Sequence, residues 1–187
     1  ETGNFAIAVV PKIHAYELAV KEINANGGVL GKQLEIVRYD TQSDNRRFQE
    51  FARRLIKKDK VDVVFGAFSS ASRESIRGIM EKNKMLYFYN NQYEGGVCSK
   101  TTFMTGAVPE QQFSTLVPWM MEKYGKNVYT IAADYNFGQI SAEWVRQIVK
   151  EAGGITNKID LSINTNIKII ASSADINSKL LEKLNNF

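Results

Sequence analysis

Residues 61–89, VDVVFGAFSSASRESIRGIMEKNKMLYFY, decide the fold. Val61 to Phe65 is a short apolar run of the length expected for a buried strand. Gly66 to Ser72 is small and rich in hydroxyls, and Ser72 suits the N-cap of a helix. Ile76, Ile79 and Met80 then recur at helical spacing, and Met85 to Tyr89 is apolar and aromatic again. A helix between two short buried strands is the crossover that joins parallel neighbours, so the segment predicts an α/β layer with helices covering the sheet.

The pattern extends in both directions. Upstream, Phe5 to Val10 reads as a strand, Pro11 as the opening of a helix, and Ala15, Leu18, Ala19 and Ile23 as its inward stripe. Leu34 to Tyr39 reads as a further strand. Ser43 or Asp44 can cap a helix whose inward side is Phe48, Phe51, Ala52, Leu55 and Ile56. Downstream, Thr102 to Met104 and Val128 to Ala132 read as strands. Between them Pro109 opens a helix with Phe113, Leu116, Val117, Met120 and Met121 on one side, kinked by Pro118. Trp144, Val145, Ile148, Val149 and Ala152 mark the next helix, which Gly153 and Gly154 end. Ile159 to Ile163 and Ile167 to Ala171 read as strands about a turn at 164–166, with a last helix carrying Ile176, Leu180 and Leu184.

Composition is that of a globular chain: of 187 residues, 44% are hydrophobic and 24% charged, with a net charge of +4. One cysteine, Cys98, and one histidine, His14, leave no intrachain disulfide and too few ligands for a Cys/His metal site. No metal and no cofactor are expected. No signal-peptide pattern is visible, so any leader is expected to have been removed or never present.

In parallel sheets, ligands sit beyond the carboxyl ends of the strands. Four loops are expected there: Val10 to Lys12, Gly66 to Ser72, Tyr89 to Gly96 and Asp134 to Gly138. The second leads into a helix N-terminus, whose free N–H groups and serine hydroxyls favour a carbonyl or carboxylate oxygen; the same residues also make an ordinary helix cap. The third combines Tyr89 and Tyr93 with Asn90, Asn91 and Gln92, the aromatic walls and few polar groups of a small-ligand site, though these residues also suit a surface turn.

Separated motifs carry a resemblance. Glu22 to Lys32 (EINANGGVLGK) looks like the segment after the first helix in amino-acid and amide binding proteins of ABC importers. Phe88 to Gly95 (FYNNQYEG), Phe103 to Gln112 (FMTGAVPEQQ) and Ser70 to Arg73 (SASR) resemble the urea and short-chain amide branch of the type I, Leu/Ile/Val-type periplasmic binding proteins. The match spans about residues 5–154.

The resemblance implies two α/β lobes, a first over 4–105 and a partial second over 106–187, with a hinge near Thr105 and Gly106 and ligand clamped between the lobes. By position, Phe68, Ser69, Ser70, Tyr89 and Asn91 would contact ligand from the first lobe, and Tyr135 and Phe137 from the second. Two positions depart from the amide branch: Phe68 stands where an aromatic hydroxyl is usual, and Asn91 where a small hydroxyl is. The loop after the first strand is also shorter than in the family. The function implied is capture of a small polar solute (urea, a short amide or an amino-acid-like molecule) outside the cytoplasm, periplasmic or secreted, for a membrane permease of an ABC importer. Alternatives are a ligand-sensing ectodomain of a signalling receptor, or a truncated interaction module that has lost its ligand.

An enzyme is not expected. No nucleophile sits in an elbow motif, and no histidine stands ready to serve Ser70. Asn26 to Gln33 fails as a phosphate loop, because Gln33 replaces the hydroxyl and the segment runs from helix to strand. Arg46, Arg47, Arg53, Arg54, Lys57, Lys58 and Lys60 form a basic cluster read as a solvated face, so no nucleic-acid partner is expected.

Overall fold

A computed structural model describes residues 2–161 of the chain. It divides into two compact units: Glu1–Asn91 with Val97–Gly106, and Gln92–Gly96 with Ala107–Phe187. The strand expected over Ile159 to Ile163 is described as far as Leu161, where it is the end of a strand that starts at Ile155; the turn at 164–166, the strand expected over Ile167 to Ala171 and the last helix lie outside the described residues.

The first unit is built on three parallel strands in the order β1 (Val63–Phe65), β2 (Leu86–Tyr89), β3 (Thr102–Met104), with Val64 opposite Tyr87 and Phe88 opposite Phe103. Alternate residues point to opposite faces. Val64, Tyr87, Tyr89 and Thr102 are buried on one face. Phe65, Phe88 and Phe103 stack along the other at 5.1 and 5.3 Å between rings, with Phe65 and Phe103 exposed.

Three helices complete this unit: α1 (Ala6–Ala25), α2 (Asn45–Arg54) and α3 (Ser70–Lys82). Asp44 caps α2 by accepting from the N–H groups of Arg46 and Arg47. The helix then widens into a π turn over Leu55–Asp59. The expected inward residues of α2 hold: Ala52 is buried and Phe48, Phe51, Leu55 and Ile56 are half-buried. In α3, Ile76 and Met80 are buried as expected, but the helix starts at Ser70, with Ser69 and not Ser72 at its N-cap. The Ser72 hydroxyl instead donates to Asn45 Oδ1 at 2.9 Å, tying α3 to the start of α2.

The start of the chain corrects the sequence reading. Phe5 to Val10 is not a strand: Ala6 already belongs to α1, and Pro11 lies inside the helix instead of in its first turn. No described strand lies beside this run to complete its hydrogen bonds, whereas a helix satisfies its own. The protected face of α1 runs through Lys12, Tyr16, Val20 and Asn24, one residue (about 100°) away from the stripe Ala15, Leu18, Ala19, Ile23. Leu18 and Ile23 are exposed. Tyr16 meets Phe65 at 5.8 Å and fixes this rotation. Leu34 to Tyr39 likewise has no ladder partner among the described residues and is not a strand.

The second unit pairs β4 (Asn127–Ala133) in parallel with β5 (Ile155–Leu161). Helices α4 (Pro109–Phe113), α5 (Leu116–Tyr124) and α6 (Asn136–Glu151) belong with it. Its core is Val117, Met121, Val145 and Val149, with Phe113, Val128 and Ile148 packed around them. Leu116 and Met120, expected inward, are exposed. The interruption between α4 and α5 at Ser114 and Thr115 precedes Pro118: with no N–H, Pro118 cannot bond the carbonyl of Ser114, and the helix breaks one turn earlier.

Candidate functional site

The loop after β1 is pinned on both sides of one residue, Ala67. The Ala67 N–H donates to the Tyr87 hydroxyl at 3.3 Å, and the Ala67 carbonyl accepts from Asn91 Nδ2 at 2.7 Å. The tips of β1 and β2 are thereby locked together, and the N-terminus of α3 is set beside Tyr89. Burial pushes the Tyr87 hydroxyl well above its ordinary pKa, so it stays protonated.

At that corner three polar side chains meet. Ser70 Oγ and the Tyr89 hydroxyl are 3.5 Å apart, and Arg73 Nη1 donates to Ser70 Oγ at 3.3 Å. The Arg73 guanidinium carbon lies 4.9 Å from the centroid of the Tyr89 ring, and Arg73 Nε donates to Glu74 Oε1 at 2.8 Å. Arg73, Ser70 and Tyr89 are at most 2% exposed. Ser69 is also buried; its carbonyl accepts from the Arg73 N–H at 2.9 Å, but its side chain makes no capping hydrogen bond. The first N–H groups of α3 therefore have no cap from that residue, at the end of the helix where the dipole favours negative charge.

Helix α1 reaches the same strand tips. Phe5, at its N-cap, packs edge-on against Phe68 with ring centroids 5.0 Å apart. Lys12 Nζ donates to Asn91 Oδ1 at 2.9 Å. Desolvation lowers the Lys12 amine from 10.5 to about 8. So of the five candidates in this unit, Ser70 and Tyr89 meet directly, Ser69 underlies them as the helix cap, Asn91 is tied to the Ala67 carbonyl and to Lys12, and Phe68 is engaged by Phe5.

The last two candidates lie in the second unit. Tyr135 is the N-cap of α6, and its ring lies 6.3 Å from that of Phe137. Both are half-buried. Next to them Asn136 Nδ2 donates to Glu94 Oε1, and Glu94 is buried. Gly138 is required here: a Cβ would stand 2.1 Å from the Ala133 carbonyl oxygen, so only glycine lets α6 begin this close to the end of β4.

Sequence reasoning missed Arg73 and Lys12 as site residues. Arg73 stood inside the quoted Ser-Ala-Ser-Arg motif, and its spacing from Ser70 (one helical turn) was the available signal. Lys12 lay in the expected strand-end loop Val10 to Lys12 but was not singled out, and the structure places it inside α1 instead of in a loop. His14 is exposed on α1, and the basic cluster from Arg46 to Lys60 is exposed throughout. Among the described residues, no group of three or more His, Cys, Asp or Glu side chains is placed to hold a metal ion. No helix among them is long and apolar enough to cross a membrane.

Comparison with known proteins adds a family to this geometry. A family model described as the periplasmic binding protein domain matches residues 1–168. Leu/Ile/Val-binding protein homolog 7 of Brucella melitensis is 37% identical over 87 residues, which is 46% of this chain and 22% of that protein. Homolog 8 of Brucella abortus is 34% identical over 87 residues, 46% of this chain and 21% of that one. The chain thus matches about a fifth of the length of these curated relatives. Among solved structures, the branched-chain amino acid transporter substrate binding protein LivJ of Streptococcus pneumoniae, in complex with isoleucine, aligns with a TM-score of 0.74 at 21% identity. That alignment covers 97% of this chain and 51% of that one. A solute binding protein of an ABC transporter from Rhodopseudomonas palustris, in complex with 3,4-dihydroxybenzoic acid, aligns with a TM-score of 0.75 at 17% identity, over 99% of this chain and 49% of that one. These likenesses establish an α/β fold of the type I periplasmic-binding-protein kind, of which the chain spans about half.

Proposed function

The chain belongs to the periplasmic binding protein domain family, and from that premise we propose that it serves reversible capture of a small solute through a carbonyl or carboxylate oxygen, with no chemistry done on the solute. The observation that carries this reading is the corner at the start of α3. There, the Ser70 and Tyr89 hydroxyls and a buried guanidinium meet beside the first N–H groups of α3, which Ser69 does not cap. All of these except the ambivalent hydroxyls are donors, and donors at a helix N-terminus suit an oxygen acceptor.

The charge balance favours a carboxylate or a polarised amide over an amine. Arg73 and Lys12 both approach the strand tips, while Glu74 is held by Arg73 and Arg77. This supports an amino acid, a short amide or urea as the solute class. The named relatives are Leu/Ile/Val-binding homologues, and one fold neighbour holds isoleucine; both favour the amino-acid end of that range. In this reading Phe68 and Asn91 supply an apolar wall and an amide on the first unit, while Tyr135 and Phe137 form an aromatic pair at the start of α6 on the second. Handover to an ABC permease outside the cytoplasm is the role that family membership supports.

Phe5 and Lys12 stand against Phe68 and Asn91 in this structure. Solute entry therefore requires the first turns of α1 to yield, which makes the expected affinity modest, because ordering and displacement subtract from contact energy. Calorimetry with isoleucine, acetamide and urea tests the proposal. Saturable binding that weakens about tenfold in Tyr89→Phe supports it, and silence from folded protein toward all three rejects it.

A further inference from the structure

We propose that the groove between α2 and α3 on the first unit is a second site, one that takes a multivalent phosphate group. The groove has a volume of about 250 Å³ and is lined by Arg53, Lys57, Gly78, Ile79, Lys82 and Asn83. That is room for roughly eight waters at about 30 Å³ each, more than a single bare ion needs. Three of the six lining residues are cations. Among the described residues none of the three is ion-paired: the acids of α3, Glu74 and Glu81, are held by Arg77, and Glu74 also by Arg73. Asp59, at the end of the π turn, accepts from the Tyr39 hydroxyl at 2.8 Å and does not line the groove.

A plainer account is that these cations only offset helix ends. Both helical segments terminate near the groove, α3 at Lys82 and the π turn at Asp59. A helix C-terminus carries about −0.5 of a charge, so two supply about −1 against three full positive charges. About two positive charges remain unmatched. An arginine fork flanked by two lysine ammonium groups is the donor set that phosphate oxygens select.

Two further features point the same way. The turn that carries Lys57 is a π turn, a rare geometry that is frequent at functional sites. Gly78 is exposed within α3, and a Cβ there would meet nothing within 4 Å. Alanine is a better helix former and would fit, so packing does not demand this glycine; its bare surface leaves the groove open.

Titration of the full chain with inorganic pyrophosphate at low salt tests the site, independently of the solute proposal. The expected result is saturable binding that weakens as salt is added. It should drop at least tenfold in Gly78→Glu and in the double variant Arg53→Gln, Lys82→Gln, and persist in Gly78→Ala, with circular dichroism confirming that each variant is folded. Sedimentation with phosphatidylglycerol vesicles identifies the source of the phosphate. Protein that pellets with vesicles and is released by pyrophosphate uses the site for lipid headgroups; protein that ignores vesicles but binds pyrophosphate uses it for free phosphates. No saturable binding by folded protein, binding that Gly78→Glu leaves intact, or vesicle binding that pyrophosphate does not compete, each overturns the proposal.

Discussion

The guanidinium of Arg73 lies 4.9 Å from the centre of the Tyr89 ring while its Nη1 donates to Ser70 Oγ, so one fully buried cation touches two of the hydroxyl-bearing side chains of the candidate site. A buried charge needs partners, and besides Glu74 those of Arg73 include two groups proposed to meet the solute. Stability and recognition are therefore coupled at this corner.

Substitutions at Tyr89 separate the two roles. Tyr89 is 1% exposed between the sheet and α3, so Tyr89→Ala is expected to cost about 3–5 kcal/mol, read as a lower denaturation midpoint. Tyr89→Phe keeps the ring over Arg73 and removes only the hydroxyl. It should leave the midpoint within about 1 kcal/mol of wild type while weakening solute binding about tenfold.

Arg73→Lys and Arg77→Lys should differ sharply. Arg73 is buried and uses its fork on Glu74 and Ser70, which a lysine cannot reproduce, so a loss of about 1–3 kcal/mol is expected. Arg77 pairs with Glu74 and Glu81 at a half-exposed position, where such pairs are worth about 0–1 kcal/mol. Urea denaturation of the two variants checks the contrast; equal losses would contradict the burial of Arg73.

Lys12 should titrate near pH 8. Desolvation lowers its amine from 10.5 to about 8 in the folded chain. Between those values the unfolded chain holds a proton that the folded one has lost, so this group makes stability rise with pH across that window. The ¹³C resonance of dimethylated Lys12, followed by NMR, measures the titration directly. Lys12→Met should flatten the rise, and a Lys12 midpoint near 10 would contradict the placement of α1 on Asn91.

Two glycine-to-alanine changes should have opposite signs. At Gly138 the new Cβ meets the Ala133 backbone at 2.1 Å, so about 1–3 kcal/mol should be lost. At Gly78 it meets nothing, and helix propensity alone should add about 1 kcal/mol. Thermal melts of both variants decide this.

The strand–helix–strand segment at 61–89 was legible because three independent signals agreed there: run length, helical period and small-residue loops. Its register places Tyr87 and Tyr89 on the covered face and Phe88 on the other, as alternation requires. Phe5 to Val10 was not legible in the same way. A short apolar run suits a strand or a helix equally, and only the neighbours decide which backbone bonds can form. The candidate site was readable as residue types on strand-tip loops, since hydroxyls and aromatics there stand out in the sequence. The contacts of Lys12 with Asn91 and of Phe5 with Phe68 were hidden, although Lys12 lay in an expected strand-end loop, because they depend on the helical path of α1.

The most direct measurement is calorimetric titration of the unmodified chain with isoleucine, acetamide and urea in parallel. A donor-lined corner at the head of α3 predicts a saturable, one-to-one heat for at least one of them. Flat traces for all three, from protein whose circular dichroism is that of the folded state, would contradict it.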